Sequence, residues 1–153
     1  MGIREVGRNA GTAVARIIRY AGGQVGDAWC SWTVVYELRK AGILVPRFGK
    51  AKSWFDVAHT IWRAGRQVAG RALPQPGDLL GYTWGHAHIC HVELLVGAWG
   101  TGPSVRAVGG NTGGGGALQR EGEGVYENWR LKRLVAASAN VIDNPRYTHG
   151  DLP

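Results

Sequence analysis

A cysteine, a histidine and an asparagine occur in this chain in settings suited to thiol-based acyl transfer. A thiol attacks a carbonyl as its thiolate, and a helix N-terminus beside an imidazole lowers its pKa enough to form one. Cys30 follows Gly26-Asp27-Ala28-Trp29 at the start of a helical pattern, where the helix dipole favours the thiolate. His91 lies in Ile89-Cys90-His91-Val92-Glu93-Leu94-Leu95-Val96, a strand pattern whose alternation puts Ile89, His91 and Glu93 on one face. A base held on a strand is rigidly aimed. Asn111, in Val108-Gly109-Gly110-Asn111-Thr112, offers a side-chain carbonyl that can accept from the far imidazole N–H and fix the tautomer. Each residue also has a plain reading: a buried structural cysteine, a core histidine, a turn asparagine beside glycine.

These residues need elements to hold them. Val14, Ile17, Ile18 and Ala21 make one apolar stripe ending at Gly22-Gly23, which predicts a first helix. A second is predicted from Trp29 through Trp32, Val35, Tyr36 and Leu38 to Ala41, with Gly42 as its stop. A third is predicted from Ser53, a good N-cap with Asp56 three residues on, through Trp54, Val57, Ala58, Ile61 and Trp62 to Gly65. Beyond the turn cluster Leu73-Pro74-Gln75-Pro76-Gly77-Asp78 the pattern changes to strands, expected at 78–82, 89–96, 105–108 and 129–135. Helices first and an antiparallel sheet second predict an α+β domain over residues 1–139, and the polar, proline-punctuated residues 140–153 read as an irregular surface tail.

The order of these pieces carries a resemblance. Gly26-Asp27-Ala28-Trp29-Cys30-Ser31-Trp32-Thr33-Val34-Val35, followed by Lys40-Ala41-Gly42-Ile43, resembles the nucleophile helix of the CHAP family, the cysteine, histidine-dependent amidohydrolases and peptidases related to NlpC-type enzymes and more remotely to papain. Ala51-Lys52-Ser53-Trp54 resembles the family's next helix, Pro76-Gly77-Asp78-Leu79-Leu80 its turn into the first core strand, and His91-Val92-Glu93-Leu94-Leu95-Val96 its histidine strand. Val108-Gly109-Gly110-Asn111 is similar to the strand end that delivers the third residue, and Arg4-Glu5-Val6-Gly7 with Asn9 and Gly11 to the lead-in of phage and bacterial members. The likeness spans roughly residues 4 to 135. It implies a papain-like fold with helices packed on an antiparallel sheet, Cys30 as nucleophile, His91 as base and Asn111 as orienting group. It also implies an acyl-enzyme whose oxyanion is held by the Cys30 backbone N–H, with Gln24 as a further candidate. Trp29, Trp84 and Glu93 are candidate substrate-side residues. The implied substrate is an amide bond of peptidoglycan, either between muramic acid and L-alanine or within the peptides, as in a phage endolysin or tail-associated lysin. A monomer without cofactor or nucleic-acid partner is expected. The chain departs from the family at Glu93, where many members carry glycine. That carboxylate either shapes substrate binding, replaces Asn111 behind His91, or is a strand-surface charge; the surface charge is the expected reading.

Composition bounds the alternatives. At 153 residues, 44% hydrophobic and 19% charged, the chain can bury a real core, which excludes a disordered segment. No apolar run is long enough to span a bilayer. Arg16 and Arg19 interrupt the only apolar stretch near the N-terminus, so a secretory signal is not expected, and delivery to the wall after synthesis in the cytoplasm is. The net charge of +7 suits polyanions or plain solubility, and its carriers, among them Arg39, Lys40, Lys50, Lys52, Arg130, Lys132 and Arg133, are scattered. Two cysteines make no disulfide framework, although one Cys30–Cys90 bridge stays open. The run His86-Ala87-His88-Ile89-Cys90-His91 permits a rival metal site at His86, His88 and Cys90. Seven tryptophans permit a sugar- or nucleic-acid-binding module, with Trp84 and Trp99 the best-placed platforms. Gly113 to Gly116 follows a strand without a helix behind it, which argues against a phosphate loop.

Overall fold

In the computed structural model, which describes residues 2–115 and 122–147, the first apolar stripe is a helix, α1 (Thr12–Ala21), with Val14, Ile17, Ile18 and Ala21 buried. Gly22 stops it in the left-handed region at φ 99°, where its N–H still reaches the Ile18 and Arg19 carbonyls. The second helix, α2 (Cys30–Lys40), starts at Cys30 itself, with Trp29 as its N-cap residue. Val34, Val35 and Leu38 bury its inner face, α1 packs against it, and it lies across the sheet over its fourth and fifth strands.

The sheet contains seven antiparallel strands among the described residues: β1 (Thr60–Arg63), β2 (Arg66–Gln67), β3 (Leu79–Tyr82), β4 (His91–Leu95), β5 (Ser104–Thr112), β6 (Gly124–Leu131) and β7 (Ala137–Ala139). Their order is β2-β1-β7-β3-β4-β5-β6. One core fills the space between the sheet and the helices, built from Val14, Ile18, Trp29, Val35, Trp54, Leu79 and Val92. A second, with Trp62, Leu80, Tyr82, Leu95, Trp99 and Val105, covers the other face. The α+β class expected from the sequence is the class observed. No helix among the described residues is long and apolar enough to cross a membrane.

The third predicted helix does not form. Only a short 3-10 turn exists there, Ala51–Trp54, with Lys50 rather than Ser53 at its N-cap. Asp56 then folds the chain back: its carboxylate accepts the His59 N–H at 3.0 Å and its carbonyl the Thr60 N–H at 3.0 Å. Val57, placed on the apolar stripe by helical spacing, is 98% exposed. Thr60, Ile61 and Trp62 suit a pleated surface, and pairing with β7 claims them as β1. The strand β7 itself, Ala-Ser-Ala, is too short and too small in side chain to announce itself in sequence, yet it bridges β1 and β3 at the sheet's centre.

The last expected strands are displaced. β5 runs on through Gly109-Gly110 to Thr112, and β6 begins at Gly124 and ends at Leu131, after which Lys132–Leu134 make a 3-10 turn. Cross-strand pairing along β5, from Ser104↔Leu131 to Thr112↔Gly124, sets both lengths. Gly110 brings this ribbon against α2: a Cβ there would lie 2.0 Å from Thr33 Oγ1 and 2.8 Å from Trp29 Cζ3. Gly110→Ala is therefore expected to push α2 outward and to destabilise the fold by about 1–3 kcal/mol, measurable as a lower denaturant midpoint with an unchanged m-value.

Residues 140–147 hold no helix or strand, but they are not a mere surface tail. Val141 is fully buried, the Asn140 N–H bonds the His59 carbonyl at 2.9 Å, and the Tyr147 ring stacks on His59 at 5.6 Å. Buried His59 hydrogen-bonds Asp56 on one side and the Tyr147 hydroxyl on the other, which docks this segment beside β1. Residues 148–153, the rest of the predicted tail, and Gly116 of the glycine run lie outside the described residues.

Candidate active site

The first residue of α2 and the first residue of β4 meet. Cys30 is 5% exposed and His91 is fully buried. The Cys30 sulfur pairs with the His91 ring and is also approached by the backbone N–H groups of Ser31 and Val92. On the ring's far side, Nε2 lies 3.2 Å from Oε1 of Glu93. Nδ1 is buried and has no hydrogen-bond partner among the described residues. Alternation along β4 puts His91 and Glu93 on one face, as the sequence pattern predicts, and the i, i+2 spacing lets the carboxylate reach back to the imidazole.

Glu93 is not a surface charge. It is fully buried and held by Arg130 of β6, whose Nε donates to Oε2 at 2.9 Å and whose Nη2 donates to Oε1 at 2.5 Å. Arg130 Nη2 also donates to Thr112 Oγ1 at 3.0 Å. Above this chain lies Trp84, stacked on the His91 ring at 4.4 Å with the Arg130 guanidinium 5.5 Å from its own ring centre. Gly109 makes room underneath, since a Cβ there would fall 2.6 Å from Glu93 Cγ. The result is a relay, Cys30–His91–Glu93–Arg130, with the Trp84 indole stacked over its imidazole.

Its electrostatics suit a nucleophile. Burial opposes charge on all of these groups, and the pairing overcomes it. For Cys30 burial raises the pKa, but the His91 hydrogen bond and charge bring it below the usual thiol range. For His91 burial lowers it, but hydrogen bonds to Cys30 and Glu93 push it up to about 9. For Glu93 burial raises it, and His91 and Arg130 together hold it below the usual carboxylate range. Both shifts favour a thiolate–imidazolium pair over a neutral thiol and imidazole. Cys30 is expected to alkylate with iodoacetamide faster at pH 7 than an ordinary thiol, because its lowered pKa leaves more of it as thiolate there. Any thiol-dependent turnover should fall on the alkaline side as His91 loses its proton near pH 9. Mass-mapped alkylation rates against pH check the first, and a pH–rate profile the second.

The other predicted residues are placed as follows. Asn111 is buried at the end of β5 with φ 56°, and its backbone carbonyl accepts the Gly122 N–H at 3.1 Å. The His91 Nε2 position that it was expected to fill is taken by Glu93. Gln24 is exposed in a turn capped by Asp27 and does not line the cleft at Cys30. Trp29 has no exposed surface. Its Nε1 donates to Glu5 Oε1 at 2.6 Å, so it anchors the N-terminal segment beside Cys30 and presents no surface to a ligand. Trp84 stacks on His91 as described, and Trp99 is buried edge-on against Trp62 at 5.4 Å.

Cys30 and Cys90 are not joined in a disulfide, and Cys90 Sγ donates to the Thr83 carbonyl at 3.2 Å. His86 and His88 are exposed, their rings 6.4 Å apart. Among the described residues no group of three or more His, Cys, Asp or Glu converges as a metal site, so the His86/His88/Cys90 alternative is not assembled. Sequence reasoning missed Arg130 in its role, because it read as one more scattered cation. The available signal was an arginine alternating with Asn128 along a strand between the exposed Trp129 and Leu131. Comparison with known proteins finds no matching family model, no matching curated protein and no matching solved structure.

Proposed function

We propose that this chain is a cysteine-dependent amidohydrolase or peptidase of the CHAP type, with a papain-like arrangement and peptidoglycan as its substrate. The observation that carries the reading is the buried Cys30 at the first turn of α2, paired with His91, which is itself backed by Glu93. A nucleophile on a helix N-terminus facing a base on an antiparallel strand is the arrangement such chemistry needs.

The reaction runs in two halves. The Cys30 thiolate attacks the amide carbonyl carbon, and the resulting oxyanion is received by N–H groups of the first turn of α2, which have no intrahelical acceptors. His91, as imidazolium, gives its proton to the departing amine nitrogen as the C–N bond breaks, leaving a thioester. Neutral His91 then takes a proton from water, the hydroxide attacks the thioester, and acid and thiol are released. Glu93 takes the orienting role expected of Asn111. Arg130 keeps it anionic, and Trp84 covers one face of the His91 ring.

Peptidoglycan as the substrate rests on the motif order of the sequence and on a net charge of +7, which suits an anionic wall. The chain reaches it after release or delivery, as a lysin does. Purified peptidoglycan from several wall chemotypes, incubated with the protein and analysed by mass spectrometry, is expected to yield soluble fragments with new amine and carboxyl termini. Those termini separate an amidase from an endopeptidase. Activity lost to iodoacetamide and kept in chelator supports the thiol mechanism. The reverse pattern, or no release from any wall, sinks it.

A further inference from the structure

Cys30 opens onto a cleft of about 280 Å³ whose chemistry is one-sided. Lys50, Ala51 and Lys52 line it together with Cys30, His88, Ile89 and Cys90, and none of the described lining residues is acidic. Both lysines are exposed, while Ala51 between them is buried. Ser31, the residue after the nucleophile, donates to the Phe48 carbonyl at 2.5 Å and accepts the Trp54 indole N–H at 2.8 Å. Gly49 sits against Trp32 of the same helix, where a Cβ would lie 2.5 Å from Cζ2. The segment that carries the lysines is therefore tied to the first turns of α2. Elsewhere the chain pairs several of its cations: Arg71 with Asp78, Arg106 with Glu127, Arg130 with Glu93.

We infer, resting on the hydrolase reading above, that this cleft selects substrates carrying a free carboxylate close to the scissile amide, with Lys50 and Lys52 as the groups that receive it. Two cations lining the same cleft as the reacting sulfur concentrate an anion there and hold its carboxylate while the neighbouring carbonyl is attacked. In wall peptides this means an acyl or amine segment bearing an unamidated acid, and the carboxamide counterpart loses the contact.

The test separates the wall's charge from the hydrolase reading. Iodoacetate and iodoacetamide alkylate a thiolate by the same step, in which a sulfur–carbon bond forms and iodide leaves, and they differ in carrying a carboxylate or a carboxamide. In a Cys90→Ser background, the ratio of the two rates at Cys30 is expected to fall about fivefold or more in Lys50→Ala/Lys52→Ala, with the iodoacetamide rate little changed. Lys50→Arg/Lys52→Arg should keep the ratio, and so should Arg16→Ala/Arg19→Ala, which removes two exposed α1 charges outside the cleft. An unchanged ratio in Lys50→Ala/Lys52→Ala overturns the inference while leaving thiol hydrolysis untouched. On paired wall peptides differing only in acid against amide, the wild type is expected to favour the acid about tenfold in kcat/KM, mainly through KM. Equal turnover of the pair also overturns it. A fallen alkylation ratio with no hydrolysis of any wall substrate keeps the anion site and removes the hydrolase reading alone.

Discussion

Cys30→Ala is expected to remove hydrolysis by about 10⁴-fold or more while leaving the fold in place. Losing one member of a nucleophile–base unit costs nearly as much as losing the unit, because the remaining groups have no bond-forming atom to serve. The side chain is small, and alanine keeps most of its volume and the start of α2. A second readout ties the loss to the pairing. His91 is held up to about 9 partly by the Cys30 sulfur, so its titration, followed by NMR of the ring protons, should move down in Cys30→Ala. Release of wall fragments equal to wild type would make Cys30 a structural residue. An unmoved His91 titration would separate the two groups electrostatically.

The second large effect concerns the buried pair behind the base. Arg130 is 2% exposed and makes two hydrogen bonds to a Glu93 with no exposure at all. Arg130→Met leaves that carboxylate without its cation and is expected to destabilise the protein by about 3–5 kcal/mol. Glu93→Leu strands the guanidinium and should cost a similar amount. The double substitution removes both charges, so it is expected to recover much of the stability, since a buried ion pair and an apolar pair of like volume differ little.

Activity should behave differently from stability. Both variants that lack Glu93 lose the acceptor at His91 Nε2, and kcat is expected to fall by about 10²-fold or more in each. The alkaline limb of the pH–rate profile should also drop below its wild-type position near 9, because Glu93 no longer supports the imidazolium. A stable double variant with a wild-type rate and profile would show that Glu93 and Arg130 only pack. Stability and catalysis moving together in all three variants would point the same way. Asn111→Ala is the natural companion: with Glu93 in the Nε2 position, it should leave the alkaline limb unmoved.

Much of the helical framework was legible before any coordinates. The stripe from Val14 to Ala21 and the run from Trp29 to Ala41 repeat at the helical period and end at glycines that take left-handed backbone, so local chemistry sets their bounds. The segment from Ser53 to Gly65 carries the same period and is a turn followed by a strand. There the deciding contacts are remote: pairing with Ala137–Ala139, and the docking of Tyr147 on His59. A short apolar run fits either period, and its partner settles the choice.

The candidate site divides in the same way. Cys30 at a helix start and His91 with Glu93 on one strand face follow from residue type and spacing, because an N-terminus and a two-residue alternation are local facts. Which group stands behind the imidazole does not follow. Glu93 reads as a surface charge until β6 supplies Arg130 from 37 residues away, which stabilises a carboxylate that burial alone would disfavour. Likewise Lys50 and Lys52 are two cations among many in the chain, and only the tie from Ser31 to Phe48 and Trp54 sets them beside the sulfur. Periodicity and end-capping determined where the elements that carry Cys30 and His91 begin. Long-range burial of charge, which no local pattern encodes, decided which residues make them a site.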